Sequence, residues 1–517
     1  MSRASTHPHP AHGIHVPGRS LAALGLVLLA GSLVAWLVGF VRASAVILPY
    51  PYDFDYGEGI VWQQMRDIMR GDAYGPLGVL PSIVYHYPPV YHLTTALLAG
   101  ALGLDELLAG RLVSLLSTLA SGLLVAGLSA DALGRTASTR TRIVCGALGG
   151  LVFLTCMPVM KWAPLMRVDL LACALSLAGL ALAVRALERP GLIHLAGLCF
   201  VLAVYTKQVS IAAPAAAFIG LLAVAPRLAL AGISSTVAMG AVALVGLWVG
   251  TGGGFVRHVF LYNANRLDPP RVVHLWLFLS SHVLYVAVAL SGIHSVWPQL
   301  KTVCRNTRRA DRQGLALLVV TAFLALKTLM LPMIMKSGAA ENYFTEWCCA
   351  LAIFIGIALR SIVAQALDTQ EEKAAPSPTL TRLLVMVLPL QVWLLPHWSV
   401  SQAAADARAR DLAPLVAMIQ AEDRPVVSDD MTLPLRAGRR VVWEPAIAAE
   451  LAHSGLYDEA AFVSMIRRRE LGFFVTLGRR GDPLFDERYN PPVAAAIDAA
   501  YPSKREIGGL TLHLPER

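Results

Sequence analysis

Apolar residues in this chain come in long, nearly unbroken runs, not in the alternation of a strand or the single stripe of a surface helix. Runs of roughly eighteen residues or more recur through the first four hundred positions, the length a helix needs to cross about 30 Å of hydrocarbon. The pattern predicts eleven spanning helices, near 21–41, 112–130, 143–160, 169–184, 192–206, 208–225, 228–250, 274–296, 315–335, 343–360 and 383–398. One further apolar run, 88–104, is short and opens on Pro88-Pro89, so it reads either as a span or as a helix lying in the interface.

From 399 onward the pattern changes. Helical stretches (403–420, 459–469, 493–499) alternate with short β-like runs (424–427, 440–443, 472–477, 510–514). The expected architecture is therefore mainly α: a polytopic membrane domain over 1–398 and a small soluble α/β unit over 399–517. Pro376-Ser377-Pro378 reads as a flexible linker ahead of the last span.

Composition agrees with the pattern, with 56% hydrophobic and only 15% charged residues. The net charge of +9 does not point to nucleic acid, because the basic residues sit in short connections between apolar runs. They act instead as orientation signals. If 88–104 does not span, Arg135/Arg140/Arg142, Arg185/Arg189, Arg227 and the group from Lys301 to Arg312 all fall on the cytoplasmic side. We take that reading, with the N-terminus inside and the C-terminal unit outside. The run from Leu21 to Val41 is too long for a signal-peptide core, despite Ala43-Ser44-Ala45 after it, and reads as an uncleaved anchor. All seven cysteines lie in apolar runs or a basic loop, so neither disulfides nor a thiolate zinc site is expected.

This orientation puts the long loop 42–110, the segment 161–168, the Lys207 turn, 251–273, 336–342 and the tail in one outer compartment. Asp55 and Glu58, just after the first span, suit a general base or a hard-oxygen cation site, and equally a solvated loop capping the helix from Ile60. His86 and Tyr87 stand in an aromatic-rich boundary segment, where interfacial tyrosines are ordinary and Pro88-Pro89 suit a turn into a helix. Arg167 and Asp169 open a span, where they pair with each other or serve a site. Lys207-Gln208 interrupts an apolar stretch between short helices, a place where binding sites line up at membrane depth, and a lysine there is a ready phosphate partner. Between Gly252 and Arg266, glycines, amides and cations suggest a mobile loop over an anionic ligand. Lys336 to Glu346 joins two spans and includes Glu341 and Asn342; Glu346 lies inside an apolar helix and has Lys327 as a plausible partner. Ser428-Asp429-Asp430 reads as a polar turn.

Together these residues resemble the GT-C superfamily of polytopic glycosyltransferases, in particular bacterial members related to family 39 and the aminoarabinose transferases. Four features carry the likeness: Asp55 to Glu58 after the first helix, Tyr87-Pro88-Pro89, Arg167-Val168-Asp169, and Thr206-Lys207-Gln208. Asn342 to Glu346 looks like a segment common in bacterial relatives.

The resemblance implies a cell-membrane enzyme with a polyprenyl-phosphate sugar as donor and a glycan, lipid or protein hydroxyl as acceptor. It implies an acidic residue of the first outer loop as base, here Asp55 or Glu58, because Gly57 stands where many relatives have an adjacent Asp-Glu pair. Arg167, Asp169, Lys207, Gln208, His86, Tyr87, Arg266, Lys336, Glu341 and Asn342 are the expected substrate contacts. The resemblance fixes no cofactor: some relatives need a divalent metal and others do not, and a metal, if used, is expected at Asp55, Glu58 and Asp169. A transporter or flippase, or a non-catalytic membrane scaffold, would also explain charges near short helices; a transporter would call for internal repeats and a charged path through the bilayer.

Overall fold

In the computed structural model, residues 18–263, 265–367, 379–395 and 399–516 are described, and the expected linker at 376–378 lies outside them. The long apolar runs fold as helices because a helix satisfies its backbone groups within its own segment, without water. The first is α1 (Gly18–Ile47), followed by α2 (Gly57–Arg70), α3 (Val90–Leu102) and α4 (Glu106–Leu133). Among the described residues, five helices are long and apolar enough to cross a membrane: Ala22–Ile47, Glu106–Thr136, Pro226–Gly250, Val283–Arg305 and Arg312–Met335. The pair Glu341–Ala358 and Arg360–Ala366 passes the same test together and is bent by 42°.

The other expected spans fall on shorter helices, among them Thr139–Leu154, Asp169–Arg185, Leu192–Val204, Ala212–Val224 and Thr379–Leu394. This is a mainly α, multi-pass membrane fold. The helix Thr345–Ala358 is buried on all sides and sits at its centre.

The short run after Pro88-Pro89 becomes α3, which has 13 residues. At 1.5 Å per residue that is about 20 Å, well short of the hydrocarbon thickness. It ends at Gly103 in the left-handed conformation, and the chain turns directly into α4, where the Asp105 carboxylate accepts from Leu108 N at 3.1 Å. With 28 residues, α4 is about 42 Å long and reaches both faces of the bundle.

At its far end Asp131 binds Arg312 at 2.6 Å and Arg185 at 3.2 Å. Three of the basic connections anticipated from the sequence therefore meet at one end of the molecule. The loop that follows α1 meets the near end.

The C-terminal unit contains a four-stranded sheet in the order β1-β2-β4-β3: β1 (Val427–Ser428), β2 (Phe474–Thr476), β3 (Ser503–Ile507) and β4 (Leu510–Leu514). Strands β1 and β2 are parallel and the other pairs antiparallel. Gly508 and Gly509 both have positive φ, which the two-residue turn between β3 and β4 demands.

Strand β3 was not anticipated, since Ser-Lys-Arg-Glu-Ile is an exposed edge without apolar alternation. The expected strand at 440–443 is instead a single bridge from Trp443 to Ser82 of the first loop. The expected polar turn at Asp429-Asp430 is buried: Asp429 binds Arg488 at 3.4 Å, and Asp430 accepts from Thr432 N at 3.0 Å.

This unit does not hang free. Met431, Leu435 and Val441 pack into one core with Ile60, Trp62 and Tyr91 of the first loop, while Tyr50 and Tyr52 pack with Leu412, Leu415 and Leu512.

Candidate active site

Where α1 ends, the loop to α2 is held by a single side chain. Arg111 of α4 is fully buried, and its five N–H groups find five acceptors: Ile47 O (2.6 Å), Tyr50 O (2.5 Å), Tyr52 O (2.7 Å) and both oxygens of Glu58 (2.9 Å each). Glu58 also accepts from Phe54 N at 2.9 Å and Met166 N at 2.7 Å. Both of its oxygens are thus doubly occupied, and no lone pair is left for a substrate. Nothing in the sequence flagged Arg111 beyond its being a lone cation at the start of an apolar run.

Asp55 is placed differently. It is partly exposed, and its Oδ1 accepts from Arg167 Nη1 at 2.8 Å and Gly57 N at 3.1 Å. A Cβ on residue 57 would lie 1.3 Å from Arg167 Nη1, which explains glycine there. Arg167 also lies over the Trp162 ring at 4.8 Å and reaches to 4.0 Å from Asp169. Asp169 in turn is ion-paired with Lys207 and accepts from Asn342 Nδ2 at 2.8 Å. Asp55, Arg167, Asp169 and Lys207 form one continuous network.

This network borders a cavity of about 440 Å³ between the membrane bundle, the first loop and the C-terminal unit. Of the anticipated residues, His86, Tyr87, Arg167, Lys207, Gln208, Arg266, Lys336 and Asn342 line it. Gln208 Nε2 and Asn263 Nδ2 both donate to His86 O, at 3.0 and 3.3 Å, and Lys336 Nζ donates to Asn263 O at 2.9 Å. Burial holds the His86 imidazole down at about 3, so it stays neutral, and burial beside Lys207 lowers Lys336.

Asp55 and Glu58 are not in the cavity wall, and Asp169 faces a smaller recess next to it. Glu341 is turned away and pairs with Lys161 at 3.2 Å. Lys327 and Glu346 form an ion pair at that recess, as anticipated. Sequence reasoning missed Tyr56, Glu444 and Glu450, which also line the main cavity, as does Asn263 of the loop read as lying over an anionic ligand.

The three acids considered for a metal do not fit one. Each is tied to a different cation, Asp55 to Arg167, Glu58 to Arg111 and Asp169 to Lys207. Among the described residues, no three His, Cys, Asp or Glu side chains are grouped as a metal site requires.

No protein-family model matches the chain, and no curated protein sequence matches it. Solved structures do. ArnT of Cupriavidus metallidurans bound to undecaprenyl phosphate superimposes with a TM-score of 0.52 at 17% identity, over 92% of this chain and 97% of that one. Its apo structure gives 0.53 at 16%, over 93% and 97%. The apo oligosaccharyltransferase of Archaeoglobus fulgidus gives 0.50 at 11%, over 85% of this chain and 69% of the other. The chain thus shares the fold of the ArnT structures over nearly its whole length, a mainly α, multi-pass membrane bundle followed by a smaller C-terminal unit.

Proposed function

We propose that this protein is a glycosyltransferase that moves a sugar from a polyprenyl-phosphate donor to an acceptor hydroxyl at the outer face of the membrane. The observation that carries the reading is the network of Asp55, Arg167, Asp169 and Lys207 bordering a polar cavity at one end of the bundle. The size of the cavity suits a small polar ligand. The undecaprenyl phosphate in the ArnT structure supports the donor class.

In this reading the acceptor oxygen attacks the anomeric carbon as the bond from that carbon to the phosphate oxygen breaks. Asp55 takes the acceptor proton, and polyprenyl phosphate leaves. Of the two acids of the first loop, Asp55 is the base, because only it has an oxygen free of a second partner; Glu58 positions the loop. Arg167 orients Asp55 through its hydrogen bond to Oδ1, while Lys207 and Lys336 offset charge gathering on the phosphate. Asp169 and Asn342 aim Lys207 into the cavity, and the neighbouring His86, Tyr87, Gln208 and Arg266 contact sugar or acceptor. Glu341, paired away from the cavity, has no direct part.

The test is transfer from lipid-linked sugars by purified protein in nanodiscs. Asp55→Asn is expected to fold normally and lose about 10²- to 10⁴-fold in turnover. Full activity in that variant would remove the assignment of the base.

A further inference from the structure

Glu444 stands just before the helix Pro445–His453 of the C-terminal unit and lines the main cavity with Tyr56, Arg167 and Lys207. It is 4% exposed. Several other buried acids of the molecule have cations: Glu58 has Arg111, Asp67 has Arg440, Asp169 has Lys207 and Glu346 has Lys327. Glu444 has no such ion pair among the described residues, and its Oε2 makes no hydrogen bond.

An ionised carboxylate without a counter-ion is costly in such a place, and the group takes up a proton instead. Burial pushes the Glu444 carboxyl up to about 8, with Arg167 pulling weakly the other way. At neutral pH the cavity wall therefore holds a carboxylic acid, which has one O–H to give and a carbonyl oxygen to accept with. A sugar hydroxyl has the matching pair.

We propose that Glu444 binds a hydroxyl group of the lipid-linked sugar as a neutral acid, donating from its O–H and accepting at its carbonyl. The inference rests on the reading above and deepens it: the C-terminal unit supplies a sugar contact, and Arg167 in the cavity wall, with Asp55 bonded to it, supplies the reacting end. A site built on a protonated acid binds its sugar less well once that acid ionises. Other groups around the cavity that bear charge or titrate are Arg167, Lys207, Lys336, Arg266, Arg271, His86, Tyr56, Tyr87, Tyr343, Asp268, Asp486, Glu487, and Glu450 and His453 on the same helix. His86 stays neutral throughout. Lys336 faces the phosphate end, so any titration of it alters binding of every polyprenyl phosphate alike.

The experiment measures affinity of the purified full-length protein for undecaprenyl phosphate alone and for undecaprenyl-phosphate-linked pentoses and hexoses. Wild type is expected to bind at least one sugar-bearing lipid more tightly than the bare lipid. Glu444→Ala should lose about tenfold for that lipid and nothing for the bare one, whereas Glu444→Gln should stay within about threefold. Raising the pH from 7 to 9 should erode the wild-type preference for the sugar and leave that of Glu444→Gln unchanged.

Equal sugar preference in Glu444→Ala and wild type would overturn the proposal. So would a Glu444→Gln variant as weak as Glu444→Ala, which would mean that the ion is the working form. Loss of bare-lipid binding in both variants would make Glu444 a structural residue and sink the idea as well. If wild type prefers no sugar-bearing lipid over the bare one, the donor assignment under Proposed function fails instead.

Discussion

The two acids three positions apart after the first helix look interchangeable on paper, yet their surroundings separate them. Glu58 is sealed under Arg111 and two backbone amides, while Asp55 stays at the edge of solvent with one guanidinium. A buried bidentate pair is not itself a source of large net stability, but breaking one side of it leaves a naked charge. Arg111→Met should therefore cost about 3–5 kcal/mol, read as a large fall in thermal midpoint and in yield of folded protein. Asp55→Asn should leave that midpoint in place. If Arg111→Met melts like wild type, the loop is held by something other than this pair.

At the scale of elements, the meeting of α2 with the C-terminal helix Thr432–Arg436 depends on one missing side chain. A Cβ at Gly59 would come within 2.7 Å of Met431 Cβ and 2.8 Å of the backbone at Met431 and Thr432. Backbone cannot step aside as a flexible side chain would. Gly59→Ala is predicted to destabilise this contact by about 1–3 kcal/mol, the range for overpacking. Limited proteolysis is the check: the C-terminal unit should be cut faster in the variant, and an unchanged rate would show that α2 is not its dock.

That same packing decides how domains are drawn. The unit beginning near 399 has its own core around Trp443 and Phe474, but it shares two further cores with the first loop. Composition marks where the chain leaves the membrane and cannot report which surfaces then meet.

For the whole molecule, the basic connections gather around Asp131 at one end and the cavity lies at the other. Cationic loops favour the cytoplasm, and on that ground we propose that the cavity and the C-terminal unit lie outside. Cys304 is an exposed cysteine in the basic connection, and Arg480 is exposed in the C-terminal unit. A membrane-impermeant maleimide should label an Arg480→Cys variant in intact spheroplasts and reach Cys304 only after permeabilisation. The reverse pattern would invert the topology and put the proposed site in the cytoplasm.

Hydropathy and charge by themselves determined the membrane fold, the helical runs and several of the polar residues that line the cavity, because long apolar stretches and ionisable residues at their ends have few physical solutions. His86, Arg167, Lys207 and Asn342 were legible for that reason: a polar group at a helix break in an apolar chain needs a partner or a ligand. Tertiary structure alone decided which acid is sealed and which is free, that Glu341 turns away, and that Glu444 enters the site. Those outcomes depend on contacts between segments far apart in sequence, such as Arg111 with Glu58, 53 residues away, and Ala446 beside Glu444 with Tyr56 of the first loop, 390 residues away. Burial and counter-ions set the chemistry of a carboxylate, and neither is written in its local sequence.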